Sequence, residues 1–388
     1  MTLKPRTQAR WATPLAVIAT AALLVACGGG SPQTTAVKVV GDSLNDSGVF
    51  GFKFTVQGTT AAPHLIWAEH VTSAVGAPAL CARYAATGPT TVALNPAATK
   101  CTSYGVGGGR VNPSGQAGDA SAFSVVQQLK DMAAAGSFGP EELLLADGGG
   151  NDVADLVGAY LGAATDGGAA YVALIGELLT PAQVGTAVAG GSTGLAVAGG
   201  QYMTALANLL ADTLTTQAID KGAQRVVVLT APNVVRTPRF QQVLARVAAA
   251  SGGGSTGAAA AAQVSALADS WVVAFNTQLK ARFASQAKVA VVDFYAEFNK
   301  WLDTPAAYGL TNTTTPACPS TGTDSTGLPT YSIQTCTAAS LLAASQSVSG
   351  GVDWWKTYVF SDNFHGTPRT NQLMGELVVK ALESKGWK

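Results

Sequence analysis

The sequence has few charged side chains and no excess of either sign. Only 12% of its 388 residues are charged, about half of the roughly 25% that is typical of soluble domains. The 23 basic residues equal the 23 acidic ones, so a basic surface for nucleic acid is not expected. An apolar fraction of 47% is too high for a disordered chain, and the length is ample for a buried core.

Residues that bind metals are also scarce. The chain has three histidines, His64, His70 and His365. No two cysteines have C-x-x-C spacing and no H-E-x-x-H motif occurs, so we expect no metal site and no redox centre. His64 and His70 lie in PHLIWAEH, and we expect them to pack or to face solvent.

The N terminus has the pattern of a targeting segment. Residues 1–10 carry basic side chains and no acidic one, and residues 11–26 carry no charge. A short apolar run after a basic segment is typical of a secretory signal. Gly, Ser, Thr, Gln and Pro interrupt the uncharged stretch 178–211, so we do not expect it to cross a membrane.

The end of this signal, Leu-Val-Ala-Cys at residues 24–27, resembles the lipobox of a bacterial lipoprotein. The resemblance implies that residues 1–26 are removed, that Cys27 is acylated, and that residues 27–36 become a flexible tether. Gly28 follows the cysteine in place of Asp, which implies the outer membrane. The alternative is an ordinary signal peptide with a chance cysteine, giving a periplasmic or extracellular protein.

The other four cysteines are Cys81, Cys101, Cys318 and Cys336. An even number in an exported chain predicts two disulfides, for which three pairings are possible. We favour the local pairing, Cys81 with Cys101 and Cys318 with Cys336, because each pair brackets a stretch rich in Thr, Pro and Ala. Each loop closure would contribute roughly 3 kcal/mol of stability.

Short β patterns alternate with helical ones along the chain. We predict strands over residues 37–40, 143–146, 225–229 and 289–294, and helices over 123–132, 202–219 and 264–283. Near-continuous apolar strands between helices predict an α/β fold with a parallel sheet covered on both faces. The Gly/Ala-rich stretches around 160–200 and 251–262 are interpreted as insertions or linkers within one domain, 37–388.

Three short motifs carry candidate catalytic residues. Ser43 follows the first strand, where a hydroxyl is exposed at a helix N-terminus, although a serine there is more often a cap. Asn151 follows a buried strand in Gly-Gly-Asn-Asp; its amide can donate to an oxyanion, and alone the motif would be a turn. Asp362 precedes His365 by three residues, a spacing that lets a carboxylate orient an imidazole base.

Taken in order, GDSLNDSG, YGVGGG, GGND and DNFH resemble the motifs of the SGNH/GDSL hydrolase family. The resemblance covers nearly the whole mature chain and includes bacterial secreted esterases, lipases and lecithinase-like phospholipases. It implies a three-layer α/β/α, flavodoxin-like fold with a central parallel sheet. It also implies an ester hydrolase that needs no cofactor.

The resemblance further implies roles for single residues. Ser43 would be the nucleophile, with Asp362 and His365 completing the triad. The oxyanion hole would consist of the Ser43 N–H, the Asn151 side chain and one glycine N–H. We favour Gly108 for that glycine, with Gly107 next. The family usually has Asn where Ser103 stands and Pro where Gly366 stands.

A rival serine motif, G-x-S-x-G, occurs around Ser192 and Ser255. Both copies lie in β-poor segments, whereas an α/β-hydrolase nucleophile needs a strand directly before it. The order Ser, Asp, His is common to both families, but the three-residue spacing between Asp362 and His365 favours the SGNH family.

The substrate stays open at this level. Lipids, phospholipids, simple esters and acetylated sugars are all cleaved within the family, so a carbohydrate esterase is an alternative. A non-catalytic glycan- or lipid-binding surface lipoprotein is a more distant one. The aromatic residues Trp354, Trp355, Tyr358 and Phe360 would line an acyl pocket or, as we favour, pack in the core. The segment after His365 is too short for a translocator barrel, so we expect export and membrane contact to depend on the N-terminal signal and its lipid.

Overall fold

The computed structural model describes residues 1–3, 33–88, 90–112, 120–347 and 350–388. The predicted signal sequence, Cys27 and most of the predicted tether lie outside these residues. Contacts divide the chain into Met1–Ser31, almost all of it outside the described part, and Pro32–Lys388. All elements named below belong to the second unit.

Four parallel strands form the central sheet, in the order β1, β4, β5, β6. The strands in chain order are β1 (Ala36–Val40), β2 (Tyr84–Ala86), β3 (Val92–Leu94), β4 (Glu142–Ala146), β5 (Arg225–Leu229), β6 (Val289–Val292), β7 (Ser320–Thr323) and β8 (Pro329–Tyr331). Their register places Val37 beside Leu143, and Val227 between Leu145 and Ala290. The pairs β2–β3 and β7–β8 are separate antiparallel hairpins.

A single bridge extends the sheet beyond β1. Ser103 lies parallel to Val39, the Val39 N–H donates to Thr102 O at 3.0 Å, and the Tyr104 N–H donates to Val39 O at 2.7 Å. This segment occupies the fifth position that the flavodoxin-like strand order requires. It leads directly into the glycine run that follows Tyr104.

Helices cover both faces of the sheet. They are α1 (Trp67–Ala74), α2 (Val125–Ala134), α3 (Gly150–Asp166), α4 (Ala169–Ile175), α5 (Pro181–Ala189), α6 (Gly191–Leu214), α7 (Pro238–Ala250), α8 (Gly254–Phe283), α9 (Phe294–Asp303), α10 (Ala338–Ala343) and α11 (Pro368–Ser384). Helices α1, α9 and α11 pack on one face, and α2, α3, α6 and α8 pack on the other. The predicted three-layer α/β/α architecture is confirmed.

Strand β4 shows why the sequences of the central strands are almost entirely apolar. Alternate side chains of a strand point to opposite faces. Leu143 and Leu145 pack with one helical layer, whereas Leu144 and Ala146 pack with the other. Because both faces are buried, residues 143–146 are all apolar, and the one polar side chain of the strand, Glu142, lies at its start.

The Gly/Ala-rich stretches are helical, which differs from their interpretation as linkers. Residues 160–200 belong largely to α3, α4, α5 and α6, and α8 already begins at Gly254. Alanine is the strongest helix former and outweighs scattered glycines. Gly199 permits close helix packing, because a Cβ there would lie 2.3 Å from Cε2 of Trp271. Ser192 and Ser255 stand in the first turns of α6 and α8, with no strand directly before them.

Helix α8 is long and apolar enough to cross a membrane when judged by length and composition alone. In the fold, its side chains Trp271, Phe275 and Leu279 are buried against the sheet. This half of α8 therefore packs as a core helix.

Two disulfides are present, joining Cys81 to Cys101 and Cys318 to Cys336. They have the local pairing that we favoured from the sequence. The second disulfide lies beside the C-terminal motif, because the Cys318 N–H donates to Ser361 O at 2.7 Å.

Candidate active site

The carboxyl ends of β1 and β4 bring the first two motifs together at one edge of the sheet, where ligands bind in parallel α/β folds. Gly41 has a φ of +146°, and a Cβ at this position would lie 1.6 Å from Oδ1 of Asp147. That carboxyl oxygen accepts the Asp42 N–H at 3.0 Å. Only glycine fits this approach, and it places Ser43 beside the turn that begins α3.

The Asp-His motif reaches the same edge from the C-terminal segment. His365 Nε2 lies 2.8 Å from Ser43 Oγ, and His365 Nδ1 lies 2.8 Å from Asp362 Oδ2. The other oxygen of Asp362 accepts the N–H groups of Phe364 and His365 at 2.8 and 2.7 Å. Sequence-distant residues thus form one continuous line of hydrogen bonds that ends on the Ser43 hydroxyl.

The electrostatics of this line favour an ionised Asp362 and a basic His365. Burial opposes ionisation of Asp362, but the charge of His365 and three hydrogen bonds hold the pKa of the carboxyl below its usual value. Burial also opposes protonation of His365, but the charge of Asp362, its hydrogen bond and the charge of Asp42 raise the pKa of the imidazole. Burial in turn raises the pKa of Asp42.

The N–H groups of Gly107, Gly108 and Gly109 differ in their hydrogen-bond partners. The Gly107 N–H donates to Asp46 Oδ2 at 2.8 Å, and the Gly109 N–H donates to Val106 O at 2.9 Å. No described residue accepts from the Gly108 N–H. Gly108 also has a φ of +78° and lines the cavity that contains Ser43.

Asn151, in the first turn of α3, faces the same cavity of about 280 Å³. Its Nδ2 donates to Gly109 O at 2.9 Å and lies 3.4 Å from Asp42 Oδ2. Ser43, Gly108, Asn151 and His365 therefore share one cavity. A group attached to Ser43 Oγ would lie in this cavity.

Acidic side chains that sequence reasoning did not single out hold the glycine run. Asp46 accepts the Gly107 N–H, and burial raises its pKa to about 6. Asp152 accepts the N–H groups of Val111 and Asn112 at 3.0 and 2.9 Å, and burial raises its pKa to about 7. Asp46 lies three residues after Ser43 and Asp152 directly follows Asn151. This closeness to predicted catalytic residues was the signal in the sequence that could have identified them.

Arg110 is a second residue that sequence reasoning missed. It pairs with Asp155 on α3, and its Nη1 donates to Gly108 O at 2.6 Å. The carbonyl of Gly108 is thereby turned toward the guanidinium. The signal in the sequence was its position directly after the glycine run, but only the fold shows which carbonyl it meets.

The other histidines and the aromatic cluster lie outside this cavity. His64 Nδ1 bonds Val56 O at 2.7 Å, and its ring lies 5.5 Å from Trp355. His70 packs against Gly375 of α11. Trp354, Trp355 and Phe360 are buried in two apolar clusters, with Tyr358 against one of them, and none lines the cavity. Core packing was therefore the better interpretation of these aromatic residues.

A hydroxyl, an imidazole, a carboxylate and an amide lie together at the carboxyl ends of a parallel sheet. Such a cluster is typical of hydrolytic enzymes with an α/β fold. Within the described residues, no three His, Cys, Asp or Glu side chains are grouped as a metal site requires. The family model of the GDSL-like Lipase/Acylhydrolase matches residues 37–378. The chain belongs to this family and is a hydrolase of ester bonds. A comparison with curated proteins gave no match.

Proposed function

We propose that the protein is a serine esterase that acts through an acyl-enzyme. The observation that carries this proposal is the line of hydrogen bonds from Asp362 through His365 to Ser43 Oγ. His365 Nε2 takes the Ser43 proton as Oγ bonds to the ester carbonyl carbon. When the tetrahedral intermediate collapses, the C–O bond to the alcohol breaks and His365 returns the proton to the leaving oxygen.

Deacylation repeats these steps with water as the nucleophile. His365 takes a proton from water, the hydroxide attacks the acyl carbon, and Ser43 Oγ leaves with the proton that His365 returns. Asp362 stays ionised and stabilises the imidazolium that forms in both halves. The products are a carboxylic acid and an alcohol.

The oxyanion in both intermediates would be held by the N–H groups of Ser43 and Gly108 and by Nδ2 of Asn151. Asn151 would exchange its long 3.4 Å contact with Asp42 Oδ2 for the oxyanion and keep its hydrogen bond to Gly109 O. We assign Gly108 rather than Gly107, because the Gly107 N–H is already bound to Asp46. Arg110 supports this arrangement by fixing the neighbouring carbonyl of Gly108.

Labelling with a fluorophosphonate tests the proposed nucleophile. The reagent should modify a single serine of the folded protein, and peptide mass spectrometry should locate the adduct on Ser43. Heat-denatured protein is the control and should stay unlabelled, because the hydroxyl is activated only while His365 accepts its proton. An adduct on Ser192 or Ser255 would overturn the assignment. So would a folded, active protein that carries no adduct after treatment with the reagent.

We propose further that the hydrolase domain, 37–388, is exported and anchored by lipid. The two disulfides support an oxidising compartment. Residues 1–26 would be removed, Cys27 would carry the lipid, and residues 27–36 would be the tether to the outer membrane. In a bacterial host, wild-type protein should incorporate radiolabelled palmitate and Cys27→Ser should not; equal incorporation by both would rule out the anchor.

A further inference from the structure

The cavity around Ser43 is apolar apart from the groups already assigned to catalysis and the side chains of Asp42 and Thr237. Leu44, Phe54, Pro232, Val234 and Phe364 supply its remaining walls, together with Thr237 and backbone. No Lys or Arg side chain is among the described residues that line it. The cavity therefore has no cation for a phosphate headgroup.

Most polar side chains of the described walls already have hydrogen-bond partners within the protein. The Thr237 hydroxyl donates to Val234 O at 2.7 Å and accepts the Phe240 N–H at 3.3 Å, so it is used in capping α7. Asp42 accepts the Leu44 N–H at 2.9 Å. The chemistry of the walls thus fits an apolar group better than a polyol.

Phe54 occupies a special position among these walls, because it contacts both halves of the candidate machinery. Its ring centroid lies 4.9 Å from that of His365. On the other side, a Cβ on Gly107 would lie only 2.2 Å from Cζ of Phe54. The ring therefore fills the space between the imidazole and the glycine run and closes the cavity there.

The backbone around Phe54 is firmly held. The Thr55 hydroxyl donates to Gly366 O at 2.9 Å, and the Val56 N–H donates to Ser361 Oγ at 3.1 Å. Lys53 pairs with Glu69 at 2.7 Å. A ring on such a segment is a fixed wall and not an adaptable one.

We propose that Phe54 sets the upper limit on the acyl group and that the substrates are esters of short to medium apolar acids. The proposal rests on the proposed function, since the acyl group stays on Ser43 through both half-reactions and must fit the cavity around it. Pockets for drug-sized ligands have volumes of roughly 300–1,000 Å³, and this cavity has about 280 Å³. We therefore expect the best substrates to have short to medium acyl chains.

The test changes the size of the wall in both directions. Hydrolysis of p-nitrophenyl esters from acetate to dodecanoate would be measured for wild type, Phe54→Ala, Phe54→Leu and Phe54→Trp. The ratio of kcat/KM for decanoate to that for butanoate should rise about tenfold or more in Phe54→Ala, rise less in Phe54→Leu, and fall in Phe54→Trp. Phe54→Leu keeps the test usable if the alanine variant does not fold.

Phe52→Ala is the matched control. The Phe52 ring lies 5.4 Å from that of Phe54 but does not line the catalytic cavity, so its removal should leave the chain-length ratio unchanged. If kcat/KM fell equally for all esters in every Phe54 variant, Phe54 would have only a structural role and the proposal would be wrong. If wild type preferred acetylated sugars or phospholipids, the proposed substrate class would be wrong, but Ser43 could still be the nucleophile. Activity that persists without Ser43 would instead contradict the proposed nucleophile.

Discussion

Ser43→Ala should lower kcat for a short-chain aryl ester by a factor of about 10⁴–10⁶. The variant keeps the cavity and the oxyanion donors but has no oxygen to form the acyl-enzyme. The measurement is steady-state hydrolysis of p-nitrophenyl butanoate, with purified variant at high concentration. Substrate binding should change little, because the apolar walls of the cavity are kept.

Ser192→Ala and Ser255→Ala are matched controls for this experiment. Each lies in the other serine motif of the chain, and each is exposed in the first turn of a helix. Both should keep wild-type kcat. The melting temperature of Ser43→Ala should also stay close to wild type, because one partly buried hydroxyl is lost and no cavity forms. A Ser43→Ala variant with more than a tenth of wild-type activity contradicts the proposed nucleophile.

The site residues that could be predicted are those whose positions depend on nearby sequence. Ser43 and Asn151 each follow a buried strand directly, and the carboxyl ends of parallel strands lie at one edge. Asp362 and His365 are three residues apart, so one turn brings their side chains together. These relations need no knowledge of the rest of the fold, and the structure brings all four residues to one place.

The residues that sequence reasoning missed act over long separations. Arg110 meets Asp155 across 45 positions, and Asp46 meets Gly107 across 61. Phe54 contacts His365 from a loop that carries no strand or helix pattern. Nothing in their immediate sequence says which carbonyl, amide or ring each will meet. The choice between Gly107 and Gly108 likewise depended on a hydrogen bond that only the fold reveals.

The helices of the Gly/Ala-rich stretches were missed for a different reason. From composition alone we interpreted residues 160–200 as insertions or linkers, because glycine and alanine are frequent there. In the fold, several of these glycines permit close contact between helices, as Gly199 does beneath Trp271. Helix formation there is supported by packing between α6 and α8, and packing outweighs local propensity.

Asp362→Asn should lower kcat/KM by a factor of about 10⁴ near neutral pH. The Asn Oδ1 can still accept the two backbone N–H groups that Asp362 Oδ1 accepts, so the turn should stay folded. Its Nδ2 then faces His365 Nδ1 and donates to it. The imidazole proton is forced onto Nε2, and no acceptor remains for the Ser43 proton.

The pH dependence of the same variant gives an independent readout. The neutral imidazole is the active form, so wild-type kcat/KM should rise as pH rises through the raised pKa of His365. Asp362→Asn removes the carboxylate charge while burial still disfavours the imidazolium, so the pKa of His365 should fall. The acid limb of the residual activity should therefore move to lower pH.

Asn151→Ala separates the two effects that Asp362→Asn combines. Loss of one oxyanion donor should lower kcat by about 10²–10³. Asn151 makes no hydrogen bond to His365 and only a long 3.4 Å contact with Asp42, so the acid limb should stay close to its position in wild type. If both variants kept the wild-type limb, His365 would not be the group that titrates. A limb that moved in Asn151→Ala alone would assign the titration to a carboxyl beside the oxyanion hole, of which Asp42 is the nearest.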